Sequence, residues 1–419
     1  MSRKTKIWRI RAAALTAALS AFILLYGCSR ILETEYSSVS AHTDSTPTPP
    51  PDSSARVASS YTELKDAILS LVRVGASEGM VRLNNYVGDA ESDVQEACLA
   101  ISRNEPVGMY ALDYLVPSVT QLLSDYEVTF TLYYRRTPEQ VLSVEYVNGP
   151  TAFRERLAEM LRAFDTELAF ETNYFHESEY DFHAILSELY YGAPLLAQGM
   201  PELSVIMYPD TGLRRIIEIG LHYPDTLNAL RSRATLCDIA VARLIESMPG
   251  PDGAEPYGQA LWLYQALGAA CEFDWELYLA MTDGLRVNSS VYDALCIGRS
   301  LPEGYALAFK ALCDAAQIEC RVVRGLNIRA PGAPLGAPVE HFWNLIELDG
   351  HWYHVDLSAD AMNDSLTYRN FLLDDSVMLS LEYIWDGASL PAADGPLSNH
   401  ELVIYDQIPE TAFDGGEPE

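Results

Sequence analysis

The 419 residues carry 59 acidic against 28 basic side chains, a net charge of −31, and 49% of them are hydrophobic. That length and apolar content suit two folded domains with tails, long enough to bury a sizeable core. The charge excludes a nucleic-acid binder, because so acidic a surface repels a phosphate backbone and favours cationic partners.

Five basic residues, Arg3, Lys4, Lys6, Arg9 and Arg11, precede an apolar run from Ala12 to Tyr26. Its fifteen residues are too few for a bilayer span, which needs about 20, but match the core of a signal peptide. Leu25-Tyr26-Gly27-Cys28 then resembles the bacterial lipobox. That resemblance implies removal of residues 1–27, lipid on the Cys28 sulfur, and a membrane-anchored protein on the extracytoplasmic face; an uncleaved anchor is the alternative. Residues 28–60, rich in Ser, Thr and Pro, lack apolar periodicity and are expected to form a tether.

A first α+β domain is expected over 61–224. Tyr126, Val128, Phe130, Leu132 and Tyr134 alternate with more polar neighbours, a half-buried strand. Thr137-Pro138-Glu139 reads as a turn into a second strand at Val141 to Val147. Phe153, Leu157, Leu161 and Phe164 follow helical spacing. Leu203 to Tyr208 and Leu213 to Ile219 flank Pro209-Asp210-Thr211-Gly212, a hairpin turn. No internal repeat and no catalytic constellation is legible in this part.

The second domain is expected over 225–413, with an acidic tail at 414–419. Two helices, Thr226 to Met248 and Tyr257 to Ala270, lead to Ser300-Leu301-Pro302-Glu303-Gly304-Tyr305-Ala306. Ser300 and Glu303 read as a capping box at a helix start, with Leu307, Phe309, Leu312 and Cys313 on its inward face. Further on, Asp349-Gly350 fits a two-residue type I′ hairpin loop, which pairs Leu348 with His351. Extending that register pairs Trp343 with Asp356 and His341 with Ser358. All four then share one face with His354, and His341 and Asp356 are diagonal neighbours about 7–8 Å apart at the backbone. His351 faces the other way, which argues against a two-histidine metal site; neither a metal nor a cofactor is expected.

The segment Tyr292 to Ser376 resembles the transglutaminase-like (papain-like thiol) domain: a helix start, then a strand His in His341-Phe342-Trp343-Asn344, then a strand Asp in His354-Val355-Asp356. The resemblance implies a helix packed on an antiparallel sheet, with triad positions at His341 and Asp356 and the nucleophile position at Pro302. Where the family has Cys, Pro302 supplies neither a thiol nor the backbone N–H that helps bind an oxyanion. Proline nevertheless suits the first turn of a helix.

The expected function is therefore an inactive transglutaminase-like protein that binds a peptide, protein or cell-wall component in a groove at His341, Trp343 and Asp356, with Tyr305 and Asn344 as further binding residues. One alternative is a cysteine-type acyl transferase using a displaced nucleophile, Cys296 first. Another is a structural spacer. Cys98, Cys237, Cys271, Cys296, Cys313 and Cys320 show no metal-binding spacing and read as buried thiols, with one bridge among the last four open.

Overall fold

A computed structural model describes residues 56–396, apart from 197, 250–254, 283–286, 330, 332–337 and 364. Cys28, the apolar run before it and the acidic tail lie outside the described residues, as does nearly all of the loop from Ala330 to Pro338. Among the described residues no helix is long and apolar enough to cross a membrane.

The folded part begins inside the expected tether. Arg56–Ala58 already forms β1, and Ser60 caps α1 (Tyr61–Arg73) by accepting from the Glu63 N–H at 3.3 Å. Leu64, Ile68, Leu71 and Val72 give α1 one buried stripe. There follow β2 (Glu78–Leu83), α2 (Ala90–Asn104), α3 (Pro106–Ala111), β3 (Leu112–Leu122) and β4 (Asp125–Tyr134). The sheet order is β1-β2-β4-β3, with β1 parallel to β2 and the other pairs antiparallel. Val128, Phe130 and Leu132 of β4 are buried, as their alternation predicts.

The strand expected at Val141 to Val147 is a correction. Thr137 and Gln140 form a reciprocal capping box, Pro138 takes the first helical position, and the chain turns through α4 (Pro138–Leu142) before a short β5 (Glu145–Tyr146). Pro138 and the cap satisfy the orphan donors of a helix start, which outweighs the β-prone run after it. Next come α5 (Pro150–Ala163), β6 (Glu167–Thr172), α6 (Phe182–Gly192), β7 (Glu202–Tyr208) and β8 (Arg215–His222). Their sheet order is β5-β6-β8-β7, with β5 parallel to β6.

The first half of the chain thus uses a βαβαββ order twice, the first time with the extra short helix α3, each with two parallel strands at one edge and a hairpin at the other. The sequence reading missed this repeat because it lies in element order and pairing. Strands of 11 and 10 residues in the first hairpin become 7 and 8 in the second, so no residue spacing recurs. Two ion pairs join the units, Arg73 of the first with Glu171 of the second at 2.9 Å and Arg214 of the second with Glu105 of the first at 3.2 Å, and Arg214 also meets Glu171.

The rest of the chain contributes α7 (Leu227–Ser247), α8 (Pro256–Ala270), β9 (Glu272–Phe273), α9 (Trp275–Thr282), β10 (Arg299–Ser300), α10 (Pro302–Ala315), β11 (Cys320–Asn327), β12 (Val339–Leu348), β13 (His351–Val355), α11 (Leu357–Ala361), β14 (Phe371–Leu373), α12 (Asp375–Ser380) and β15 (Tyr383–Ile384). Five strands form an antiparallel sheet, β14-β13-β12-β11-β15. The fold is α+β, with α10 packed on β11 and β12. Every residue of α10 from Pro302 to Cys313 is buried, so the helix is central rather than amphipathic.

The hairpin register is as expected: Leu348 pairs with His351, and Asp349 (φ 54°) and Gly350 (φ 82°) both take the left-handed conformations of a type I′ turn. One apolar core holds Phe153, Leu157, Phe170 and Ile219 of the second βαβαββ unit together with Trp262, Phe309, Leu312, Ile346 and Val355. The first unit has a separate core around Val81, Val128 and Phe130.

Candidate functional site

The helix start at Pro302 is built differently from the expected capping box. Leu301 is the N-cap and contributes no side-chain hydrogen bond, while Pro302 occupies the first turn. Ser300 sits in β10, paired with Phe273, and its hydroxyl meets that of Ser289 at 2.7 Å. Glu303 therefore finds other donors, accepting from the Tyr191 hydroxyl at 2.9 Å and the Ser289 N–H at 3.2 Å. Burial raises the Glu303 carboxyl to about 7 despite those two hydrogen bonds. Pro302 and Glu303 line a cleft of about 520 Å³ between α6 and the outer face of β12, where Tyr191, Phe342 and an Arg324–Glu340 ion pair also stand.

His341 lies on β12 and meets Asp356 directly, Nε2 to Oδ2 at 2.6 Å, with both residues 1% exposed. The ladder that was to bring them together stops earlier, because β13 ends at Val355. Asp356 instead caps α11, accepting from the Ala359 N–H at 3.0 Å and the Ser358 hydroxyl at 2.7 Å. The expected pairs Trp343–Asp356 and His341–Ser358 are thus not strand pairs, although Asp356 still bonds both His341 and Ser358. Tyr383 adds a fourth donor at 2.8 Å, from a strand end that no motif singled out. Burial opposes ionisation of Asp356, but His341, its hydrogen bond, Ser358 and Ala359 together hold the carboxyl below its ordinary value.

The expected binding residues are interior. Trp343 is 1% exposed, packs edge-on against Tyr383 and Trp385, and donates from Nε1 to His354 Nδ1 at 2.9 Å. His354 is in turn held by Asp375 at 2.8 Å. Tyr305 donates to the Cys271 carbonyl at 2.6 Å, and Asn344 donates to the Ala306 carbonyl at 2.9 Å, tying β12 to α10. None of the three lines a cavity at His341. A helix buried on all sides turns its aromatic and amide neighbours into packing and positioning groups.

Nor is a thiol at hand. His341 Nδ1 has no hydrogen-bond partner among the described residues, which include every cysteine from Cys98 to Cys320. The Cys296 thiol is engaged by that of Cys237, whose hydrogen bond lowers its pKa. Cys313 and Cys320 face each other, buried, at the far end of α10. Cys296, the expected alternative nucleophile, thus makes no hydrogen bond to His341 Nδ1.

The ring of His341 borders a second cavity, of about 370 Å³, shared with Trp275, Tyr278, Asn363, Asn370 and Tyr383. Tyr278 is fully buried and its hydroxyl, like His341 Nδ1, has no partner among the described residues. The sequence reading passed over Tyr278, which carries no motif. Among the described residues no group of three or more His, Cys, Asp or Glu side chains is arranged to hold a metal ion.

No family model and no curated protein matches the sequence. Among solved structures the chain is similar to a TGase, at 12% identity and a TM-score of 0.28, over 57% of this chain and 65% of that one. It is similar to a candidate cysteine protease from Cytophaga hutchinsonii at 13% identity and a TM-score of 0.23, over 38% and 62% of the two chains. A candidate protease from Parabacteroides distasonis ATCC 8503 follows at 11% identity and a TM-score of 0.18, over 57% and 51%. The chain spans less than two thirds of each of these structures.

Proposed function

We propose that the second half of this chain is a transglutaminase-like domain that binds its ligand without thiol acyl transfer. The observation that carries this reading is the His341–Asp356 pair, intact and buried, whose free ring nitrogen meets no thiol while Pro302 stands at the helix start. Acyl transfer by this chemistry needs an activated sulfur and an oxyanion donor. Proline at that position provides neither. The ligand class is a peptide or a cell-wall component, and the anchor is a lipid on Cys28, which places the folded part on the extracytoplasmic face.

The test is amine incorporation into, and hydrolysis of, glutamine-containing peptides by the full chain purified in detergent. The expected rate equals that of an Asp356→Ala variant. Turnover that disappears on replacing one cysteine by serine overturns the reading. Radiolabelled palmitate incorporated by the parent and not by Cys28→Ala checks the anchor.

A further inference from the structure

We infer that the cavity beside His341 is a binding site for a neutral, hydroxyl-rich ligand of the saccharide class, held between His341 Nδ1 and the Tyr278 hydroxyl. The inference rests on the reading of this groove as a ligand site and narrows its ligand. His341 and Tyr278 both line this cavity, and each carries a buried polar atom, Nδ1 and the hydroxyl, without a partner among the described residues. A buried donor or acceptor left unpaired is costly, and native structures carry few of them, so two on residues that line one cavity point to a place where something polar binds.

The chemistry of the lining selects the ligand. His341 Nε2 faces the Asp356 carboxylate, so the neutral ring carries its proton there and offers Nδ1 as an acceptor. The charged ring would offer Nδ1 as a donor. Burial pushes the Tyr278 phenol up to about 12, so it remains protonated and both donates and accepts. A ligand hydroxyl also does both, and so satisfies each atom in either state. Asn363 and Asn370 already spend their amino groups, on the Ala359 and Asp360 carbonyls and on the Asp360 carboxylate, so their carbonyl oxygens remain as acceptors for further hydroxyls.

Charge does not favour an ionic ligand. Arg329, which also lines the cavity, is paired with Glu382 at 2.8 Å, and Asp356 is answered by four donors. Trp275, 39% exposed, presents an indole whose electron-rich face suits the C–H edges of a sugar ring. At about 370 Å³ the space lies near the lower end of small-molecule sites, which fits one or two sugar rings and is too small for an extended peptide.

The experiment is calorimetric titration of the full chain in detergent with triacetylchitotriose, cellotriose and maltotriose, and with a glutamine-containing hexapeptide. At least one saccharide is expected to bind with a Kd below about 1 mM, and Tyr278→Phe and His341→Gln each to weaken it about tenfold. Because the Tyr278 hydroxyl has no partner among the described residues, Tyr278→Phe is also expected to leave Tm unchanged or raise it. A fall in Tm assigns the hydroxyl a structural role and overturns the inference. So does the absence of saccharide binding up to 10 mM, saccharide binding indifferent to both variants, or binding of the hexapeptide alone. Failure here leaves the amine-incorporation assay unaffected, so this inference and the non-catalytic reading fall separately.

Discussion

Glu303 offers a quantitative check on how the cleft beside Pro302 is built. Its carboxyl is 7% exposed and titrates at about 7 in the folded protein, against an ordinary value of 4.5. An acid whose folded pKa is raised binds its proton more tightly in the native state, so its contribution to stability is full below pH 4.5 and is lost as pH climbs through about 7. At 1.36 kcal/mol per pH unit, that loss is about 3 kcal/mol. Glu303→Gln cannot ionise. Relative to the parent, the variant should therefore gain about 3 kcal/mol between pH 4.5 and pH 8.5, whatever constant offset its amide introduces through the Tyr191 and Ser289 contacts. Urea unfolding of both proteins at pH 4.5, 6, 7 and 8.5, followed by tryptophan fluorescence, measures the difference. A gap between parent and variant that does not widen with pH refutes the argument, and shows that solvent reaches the carboxylate through the cleft.

Other substitutions probe the same assembly. Asp356→Ala leaves His341, Ser358, Tyr383 and the Ala359 N–H without their shared acceptor, and is expected to destabilise by about 3–5 kcal/mol in equilibrium unfolding; under about 1 kcal/mol would mean the network is not closed in solution. Gly304→Ala would drive a methyl into Ser300 Oγ and to 2.8 Å from the Ser290 carbonyl, so about 1–3 kcal/mol of overpacking is expected from its Tm. Glu171→Ala leaves Arg73 without its ion pair while Arg214 keeps Glu105 at 3.2 Å, for an expected loss of about 1 kcal/mol that high salt diminishes. Pro302→Cys introduces a thiol at the helix start. Iodoacetamide should label it at pH 6 faster than the native cysteines, and His341→Ala should remove that advantage; labelling that ignores His341 would separate Pro302 from the His341–Asp356 pair.

What could be read in the chain by itself is what backbone geometry dictates locally. The Asp349-Gly350 turn sets the β12–β13 register, because both residues accept positive φ and a two-residue loop leaves one pairing. Period-two alternation identifies β4, and Pro302 marks the start of α10. Tertiary structure decided the rest. Asp356 could be read as a strand residue, but became a helix cap once Ser358 and Ala359 offered it donors. Trp343, Tyr305 and Asn344 looked like groove residues and are interior, because α10 is enclosed on all sides rather than along one face. Tyr383 reaches Asp356 from the edge of the sheet, and Tyr278 joins His341 in lining one cavity from a separate helix. Periodicity reports which face of an element is apolar; which faces meet, and which polar atoms are left without partners when they do, depends on contacts between segments far apart in the chain.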